Sequence, residues 1–245
     1  MTPDQLPLLA AGVLLVAFLY SSVGHAGASG YIAVMTLVGL APEVIRPTAL
    51  ALNILVASIA AWQFRRAGHF SWALFWPFAL LAVPLAFVGG YVSLPTRAFQ
   101  VLVGVVLLFS AFRFFARPGP DEKEGDPPRA AALGIGAGIG LLSGLTGTGG
   151  GIFLTPVILW MRWAPVRTAG AVSALFILVN SAAGLVGNLS ATRGFPAPAL
   201  VLLAAAGVGG TAGSYLGSNR LPPVAIKRLL AVVLVIAGAK LMLAR

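Results

Sequence analysis

Long runs of apolar residues alternate along the chain with short polar or glycine-rich interruptions. Runs of this length and composition predict membrane helices. We distinguish ten of them, near residues 6–23, 30–40, 47–64, 71–93, 97–116, 130–145, 151–163, 166–188, 197–217 and 221–243. A stretch rich in Pro, Gly and charge, residues 117–129, follows the fifth run and is typical of a linker. The pattern predicts an all-α fold with a first repeat at 1–116 and a second at 130–245.

The two halves resemble each other where glycines interrupt them. Residues 144–151 read GLTGTGGG, and residues 24–31 read GHAGASGY, a weaker copy. At a constant offset of 120 positions, three glycines and a Thr-Ala pair recur: Gly24, Gly27, Gly30 and Thr48-Ala49 in the first half, and Gly144, Gly147, Gly150 and Thr168-Ala169 in the second. This recurrence indicates an internal duplication.

Five segments per half is an odd number, so the second repeat is expected to lie inverted in the membrane. Positive residues concentrate in cytoplasmic loops, and their distribution favours this arrangement. We place the N-terminus outside and let each glycine-broken pair of segments return to its starting side. The basic residues that then face the cytoplasm are Arg65, Arg66, Arg113, Arg117, Lys123, Arg129, Arg162, Arg167, Arg220, Lys227 and Arg228. Those facing outward or near outer ends are Arg46, Arg97, Arg193, Lys240 and Arg245. The linker is therefore predicted to be cytoplasmic.

The segments that follow the glycine runs are too short to cross a bilayer. Residues 31–40 would span roughly 15 Å as a helix and residues 152–163 roughly 18 Å, about half of the hydrocarbon core. We expect re-entrant half-helices that meet near the midplane. Irregular backbone at this depth is tolerated only where it is buried in protein or lines a cavity, and paired breaks of this kind indicate a transporter binding site.

Composition places the chain in the membrane and limits its chemistry. It is 59% hydrophobic and 9% charged, with a mean hydropathy of +0.97, whereas soluble domains carry about 25% charge. We attribute the net charge of +10 to topology rather than to nucleic acid binding. The chain has no Cys, and its six acidic residues lie outside the long apolar segments. No metal, no cofactor and no cationic substrate are therefore expected.

The glycine runs predict an anion site. A helix N-terminus offers unpaired N–H groups and a partial positive charge, and glycines let the backbone approach a ligand closely. Two such ends in a dry cavity would bind an anion. The candidate substrate-binding residues are His25, Gly27, Ser29, Gly30, Asn53, Thr146, Gly147, Thr148, Gly149, Gly150, Gly151, Ser173 and Asn180.

Each candidate also has a purely structural interpretation. The glycines would allow close helix packing. His25 would be either a substrate contact or proton carrier, or a buried histidine bonded to a backbone carbonyl. Asn53, Ser173 and Asn180 would make interhelical hydrogen bonds. Asn53 and Ser173 are equivalent at the offset of 120, which favours the cavity for those two.

The run from Ser143 to Gly151, followed by Pro156, resembles the signature of the sulfite exporter TauE/SafE family. The weaker first-half copy, the linker and residues 180–188 are also similar, so the resemblance covers essentially the whole chain. The first copy departs from the pattern, with Ser29 and Tyr31 in place of glycines. The resemblance implies a multi-pass inner-membrane permease for sulfur oxyanions or small organic sulfonates.

We therefore expect a secondary transporter that exports sulfite or a related anion by alternating access at a central site. An importer of a small organic acid and a passive anion channel stay open as alternatives. A membrane enzyme is disfavoured because no nucleophile–base pair, metal cluster or carboxylate pair lies in the apolar segments. The expected partners are the small anion and the lipid bilayer, and a homodimer stays open; nucleic acid is not among them.

Overall fold

The computed structural model describes residues 5–92, 108, 111–112, 122–192 and 199–243. Within these ranges the regular structure is entirely α-helical. We number the helices in chain order: α1 (Gln5–Ser21), α2 (Ala28–Leu37), α3 (Pro42–Arg66), α4 (Trp72–Tyr91), α5 (Arg129–Thr146), α6 (Gly151–Trp160), α7 (Val166–Thr192), α8 (Ala199–Asn219) and α9 (Pro223–Leu243). Most of the predicted fifth segment, 97–116, and residues 117–121 of the linker lie outside the described residues.

The predicted all-α membrane fold is confirmed at the level of its helices. Four spans are long and apolar enough to cross a bilayer: Val44–Arg66, Trp72–Tyr91, Arg129–Thr146 and Val166–Ser190. They correspond to α3, α4, α5 and α7. Three apolar helices are shorter, Leu6–Ser21, Ala28–Leu37 and Gly151–Trp160. Two of these, α2 and α6, have 10 residues each, so each rises about 15 Å.

Local sequence explains where several helices begin. Ser71 precedes α4 and its Oγ accepts a hydrogen bond from the Leu74 amide at 3.3 Å, the usual N-cap arrangement. Pro42 opens α3, at a position where the missing N–H costs little. Helices α2 and α6 begin differently, after Gly27 and Gly150 in the left-handed conformation, and neither has a side-chain cap.

The two halves interlock through glycine-rich helix pairs. Helix α5 lies against α4, with Gly136, Gly140 and Gly144 against the backbones of Phe78, Ala82 and Ala86. Helix α8 lies against α1 in the same way, with Gly209, Gly213 and Gly217 against Leu14, Phe18 and Ser22. Both series ascend together, so both pairs are parallel. Glycine removes the side chain from each contact and lets the helix backbones approach closely.

Helices α3 and α7 form the antiparallel pair between these two layers. Asn53 of α3 contacts Ser181 of α7, whereas Leu50, one turn earlier, lies beside Gly184, one turn later. The short helices fold back beside the helices that precede them. A methyl group at Gly12 of α1 would lie 2.7 Å from Val34 of α2, and Ala132 of α5 shares an apolar cluster with Ile158 of α6. This packing brings both glycine breaks towards α3 and α7.

Candidate functional site

Both glycine runs are true helix breaks in which the backbone adopts conformations that favour glycine. The residues with positive φ are Gly24 (79°) and Gly27 (105°) in the first break, and Gly147 (72°), Gly149 (77°) and Gly150 (79°) in the second. A side chain strains the backbone in this region. The predicted interruptions at 24–31 and 144–151 therefore coincide with the ends of α1 and α5 and the starts of α2 and α6.

The backbone conformations of the two breaks align them in a different register from the one obtained by matching residue types. Gly24 corresponds to Gly147, and Gly27 to Gly150, at an offset of 123 rather than 120. The next positive-φ pair, Gly39 (80°) and Arg162 (52°), has the same offset. Glycines recur every three residues in both runs, so a shift by three preserves most of the matches. If the offset of 123 continues into α3 and α7, Asn53 corresponds to Phe176; its equivalence with Ser173 at the offset of 120 stays a prediction.

The two breaks meet through His25. Its Nε2 donates to the carbonyl oxygen of Gly151 at 3.0 Å and lies 3.2 Å from Thr155 Oγ1. The Thr155 hydroxyl in turn donates to Ser173 Oγ at 2.7 Å. His25, Thr155 and Ser173 are all buried. This chain of bonds joins the first break to α6 and α7, so the predicted carbonyl contact of His25 is present.

Residues of both breaks line one cavity. Its lining combines Tyr20, His25, Ala26, Gly27, Ala28 and Ser29 from the first half with Thr148, Ile152 and Ile177 from the second. None of these side chains is acidic. The cavity measures about 10 Å³, roughly the space that one water molecule requires. A cavity of this size would have to widen to hold a larger ligand.

The hydroxyl groups near the cavity are hydrogen-bonded to one another. Thr148 Oγ1 lies 2.8 Å from Thr146 Oγ1, and Thr146 donates to the Leu142 carbonyl at 2.7 Å. Ser29 Oγ lies 2.9 Å from Tyr20 Oη. Ser29 and Thr148 line the cavity, whereas Thr146 supports Thr148. A hydroxyl can rotate to donate to an arriving anion, because its hydrogen is not fixed.

The remaining candidates lie beside the second break or pack within it. A Cβ atom at Gly149 would lie 2.8 Å from both Asn53 Nδ2 and Ser181 Oγ, so Asn53 is a neighbour of this break. Asn180 instead donates to the Phe176 carbonyl of its own helix at 2.8 Å. Gly30 packs against Val16 and Tyr20, and Gly151 against Ile177. The structure thus brings together His25, Gly27, Ser29 and Thr148 and gives the other glycines close packing contacts.

Sequence reasoning missed two polar residues at this site. Thr155 lies in the short helix α6, and its position one residue before Pro156 within an apolar run was the available signal. Arg46 was predicted only as a residue near an outer segment end. In the structure its side chain packs beside Gly147, where an added Cβ atom would lie 3.2 Å from Arg46 Cγ. A cation four residues inside α3 was the signal for this second residue.

The helical architecture and the paired breaks define a multi-pass membrane protein of the transporter class. The family model described as "Sulfite exporter TauE/SafE" matches residues 8–241. A curated protein of Sinorhizobium fredii (strain NBRC 101917 / NGR234), "Probable membrane transporter protein y4hK", is 40% identical over 240 residues, covering 96% of this chain and 97% of that protein. No solved structure matches. The chain belongs to the TauE/SafE sulfite exporter family, as its motifs predicted, and is a membrane transporter.

Proposed function

We propose that this protein is a secondary transporter that exports a small sulfur-containing anion, such as sulfite or an organosulfonate, through the cavity between the two breaks. One observation carries the proposal: two helix N-termini without side-chain caps reach a single cavity that no described acidic side chain lines. Such ends present unpaired N–H groups and partial positive charge. Ser29 and Thr148 add hydroxyl donors at the same place, and His25 lies beside them.

The helix packing supports an inverted-repeat architecture for residues 1–116 and 130–245. An approximate two-fold axis that inverts one repeat exchanges α1 with α5, α3 with α7 and α4 with α8. It therefore converts the parallel α1–α8 pair into the parallel α5–α4 pair and leaves α3 and α7 antiparallel to each other. Inverted repeats of this kind bind substrate at the repeat interface, near the bilayer midplane.

The linker supports the re-entrant arrangement of α5 and α6. The Glu124 amide donates to the Arg162 carbonyl at 2.8 Å, and the Glu124 carboxylate pairs with the Arg162 guanidinium. Glu124 precedes α5 and Arg162 follows α6, so α6 returns towards the side from which α5 starts. Together with the distribution of Lys and Arg, this contact favours a protein of the cell inner membrane whose linker faces the cytoplasm.

The small volume of the cavity favours a transporter over a passive channel. A channel requires a continuous path in its conducting state, whereas alternating access includes a state in which the site is closed to both sides. A cavity of about 10 Å³ fits the latter. Sulfite is the leading substrate because the family description names it. To admit sulfite, His25 would move away from the second break, and the cavity would open to one side of the membrane at a time.

A thermal-shift experiment tests the anion site. The purified protein is heated with sulfite, sulfate, thiosulfate, sulfoacetate or simple carboxylates. A ligand that binds only the folded state raises the unfolding temperature, by an amount that depends on its concentration relative to Kd. We expect selective stabilisation by a sulfur-containing anion. Stabilisation by carboxylates alone would favour the organic-acid alternative.

Thr148→Asp and Thr148→Ser locate the site. Like charges about 4 Å apart repel by roughly 4 kcal/mol at an effective dielectric constant of about 20, so Thr148→Asp should weaken anion binding by about 1,000-fold. Thr148→Ser keeps the hydroxyl and should keep most of the affinity. The measurement is the anion-dependent shift in unfolding temperature. Similar affinities for both variants would place the anion elsewhere.

A further inference from the structure

Arg46 joins the two halves through backbone carbonyls. Its Nη2 donates to the carbonyl oxygens of Gly89 at 2.9 Å and Gly90 at 3.2 Å, and also to that of Gly144. Gly89 and Gly90 belong to the last turn of α4, and Gly144 to the last turn of α5. One side chain near the start of α3 therefore holds the ends of two helices from different halves.

These bonds lie directly beside the candidate site. The Arg46 stem packs next to Gly147, the first left-handed residue of the second break, and the next residue, Thr148, lines the cavity. Helix α3 begins here while α4 and α5 end here, so this contact lies between the cavity and the membrane side opposite the linker. The Arg46 contact is thus next to the second break, on the side of the cavity that faces away from the linker.

The other side of the cavity is closed differently. Gly24, which corresponds to Gly147, packs against the backbone of Gly170 with no side chain between them. The nearby Arg167 donates to the Leu221 carbonyl at 2.7 Å, but both residues belong to the second half. On the linker side the halves therefore meet through backbone packing and through the side-chain bonds of Gln63 and His69 to the carbonyls of Thr211 and Ser218. On the other side they meet through the charge-assisted bonds of Arg46.

We propose that Arg46 is a positioning residue that latches the pathway closed on the side opposite the linker. A guanidinium suits this role because it presents several donors in a fixed fork, and helix C-terminal ends carry partial negative charge. Opening towards that side requires these bonds to break. The inference rests on the proposed alternating access, in which the two sides open in turn.

Thiol labelling from each side of the membrane tests the latch. The chain has no Cys, so Thr148→Cys provides a single probe in the cavity, and Ser29→Cys provides a second. A small impermeant thiol reagent is applied to intact cells and to inverted vesicles. Without further change, the labelling rates from the two sides give the reference against which each variant is compared.

Arg46→Gln should accelerate labelling from the side opposite the linker by about tenfold or more, the order expected when charge-assisted hydrogen bonds are lost from one state of a two-state equilibrium. Arg167→Gln is the matched control. It removes a similar bond within one half, and labelling should stay within about twofold of its parent. Arg46→Lys keeps the charge without the fork and should give an intermediate rate; it decides the question if Arg46→Gln fails to insert.

Unchanged labelling in Arg46→Gln, acceleration from the linker side, or an equal effect of Arg167→Gln would overturn the latch. Sulfite added before the reagent tests the anion site separately, because bound anion should protect the probe. Unchanged labelling of Arg46→Gln with intact protection by sulfite would reject the latch and leave the proposed substrate standing. Accelerated labelling from the side opposite the linker without protection by sulfite would support the latch and reject the anion site.

Discussion

His25 is the residue at which the two halves of the site depend on each other. Its ring bonds the Gly151 carbonyl and lies within reach of Thr155, so a first-half side chain satisfies groups of the second break. The same ring lines the cavity. The structural and binding interpretations of this histidine are therefore compatible, because a residue that joins the breaks also senses any change in their separation.

Replacing His25 should affect both stability and anion binding. His25→Leu removes the side-chain donor to the buried Gly151 carbonyl, and we expect the free energy of unfolding to fall by about 1 kcal/mol. The chain offers a matched control in His69. Its Nε2 donates to the Ser218 carbonyl at 3.1 Å, and it is not among the residues that line the cavity. Thermal unfolding with and without sulfite measures both effects. His69→Leu should retain the anion-dependent shift that His25→Leu loses, and equal behaviour of the two variants would contradict this role.

At this scale the sequence located the break residues better than their partners. Composition and spacing identified His25, Ser29 and Thr148, because polar residues inside a glycine run at membrane depth are conspicuous. Thr155 and Arg46 were missed because their roles come from helices that fold back against the breaks. The carbonyl groups of Gly89 and Gly144, near the ends of their helices, come within hydrogen-bond distance of Arg46 only when the helices pack together.

Helix pairs α4–α5 and α1–α8 use glycine faces where side chains would separate the helices. The sequence signalled this packing for Gly136, Gly140 and Gly144, which recur every four residues along one face of α5. It did not signal which helix would lie opposite, since any smooth helix surface fits such a face. The breaks show the same limit, because glycines repeated every three residues fit two registers and only backbone conformation distinguishes an offset of 123 from 120.

Two glycines of α5 provide a matched test of this packing. A methyl group at Gly140 would overlap the backbone of Ala82, whereas one at Gly138 would have no other heavy atom within 4 Å. We expect Gly140→Ala to destabilise the protein by about 1–3 kcal/mol through overpacking. Gly138→Ala should be neutral or stabilising by up to about 1 kcal/mol, because alanine favours the helix. Thermal unfolding of the two variants decides, and equal unfolding temperatures would show that α4 and α5 separate readily.

For the whole molecule, charge distribution and packing lead to the same arrangement by independent routes. The Lys and Arg residues predict which loops face the cytoplasm without reference to contacts. The contact between Glu124 and Arg162 places the end of α6 beside the linker without reference to the bilayer. The proposed inverted repeat would explain this agreement, since a unit inserted in two orientations must carry its own topology signals in each copy.

This arrangement predicts which surfaces are accessible from each side of the cell. Because the chain has no Cys, single cysteines can be introduced in loops that face opposite ways. Lys123→Cys lies in the linker and should react with an impermeant thiol reagent only after permeabilisation, since this loop is predicted to be cytoplasmic. Ala41→Cys, in the exposed turn between α2 and α3, should react in intact cells. Labelling of position 123 from outside would reverse the orientation, and labelling of both positions from one side would mean that α3 starts on the linker's side. The second result would also remove the basis for a latch at Arg46 that faces away from the linker.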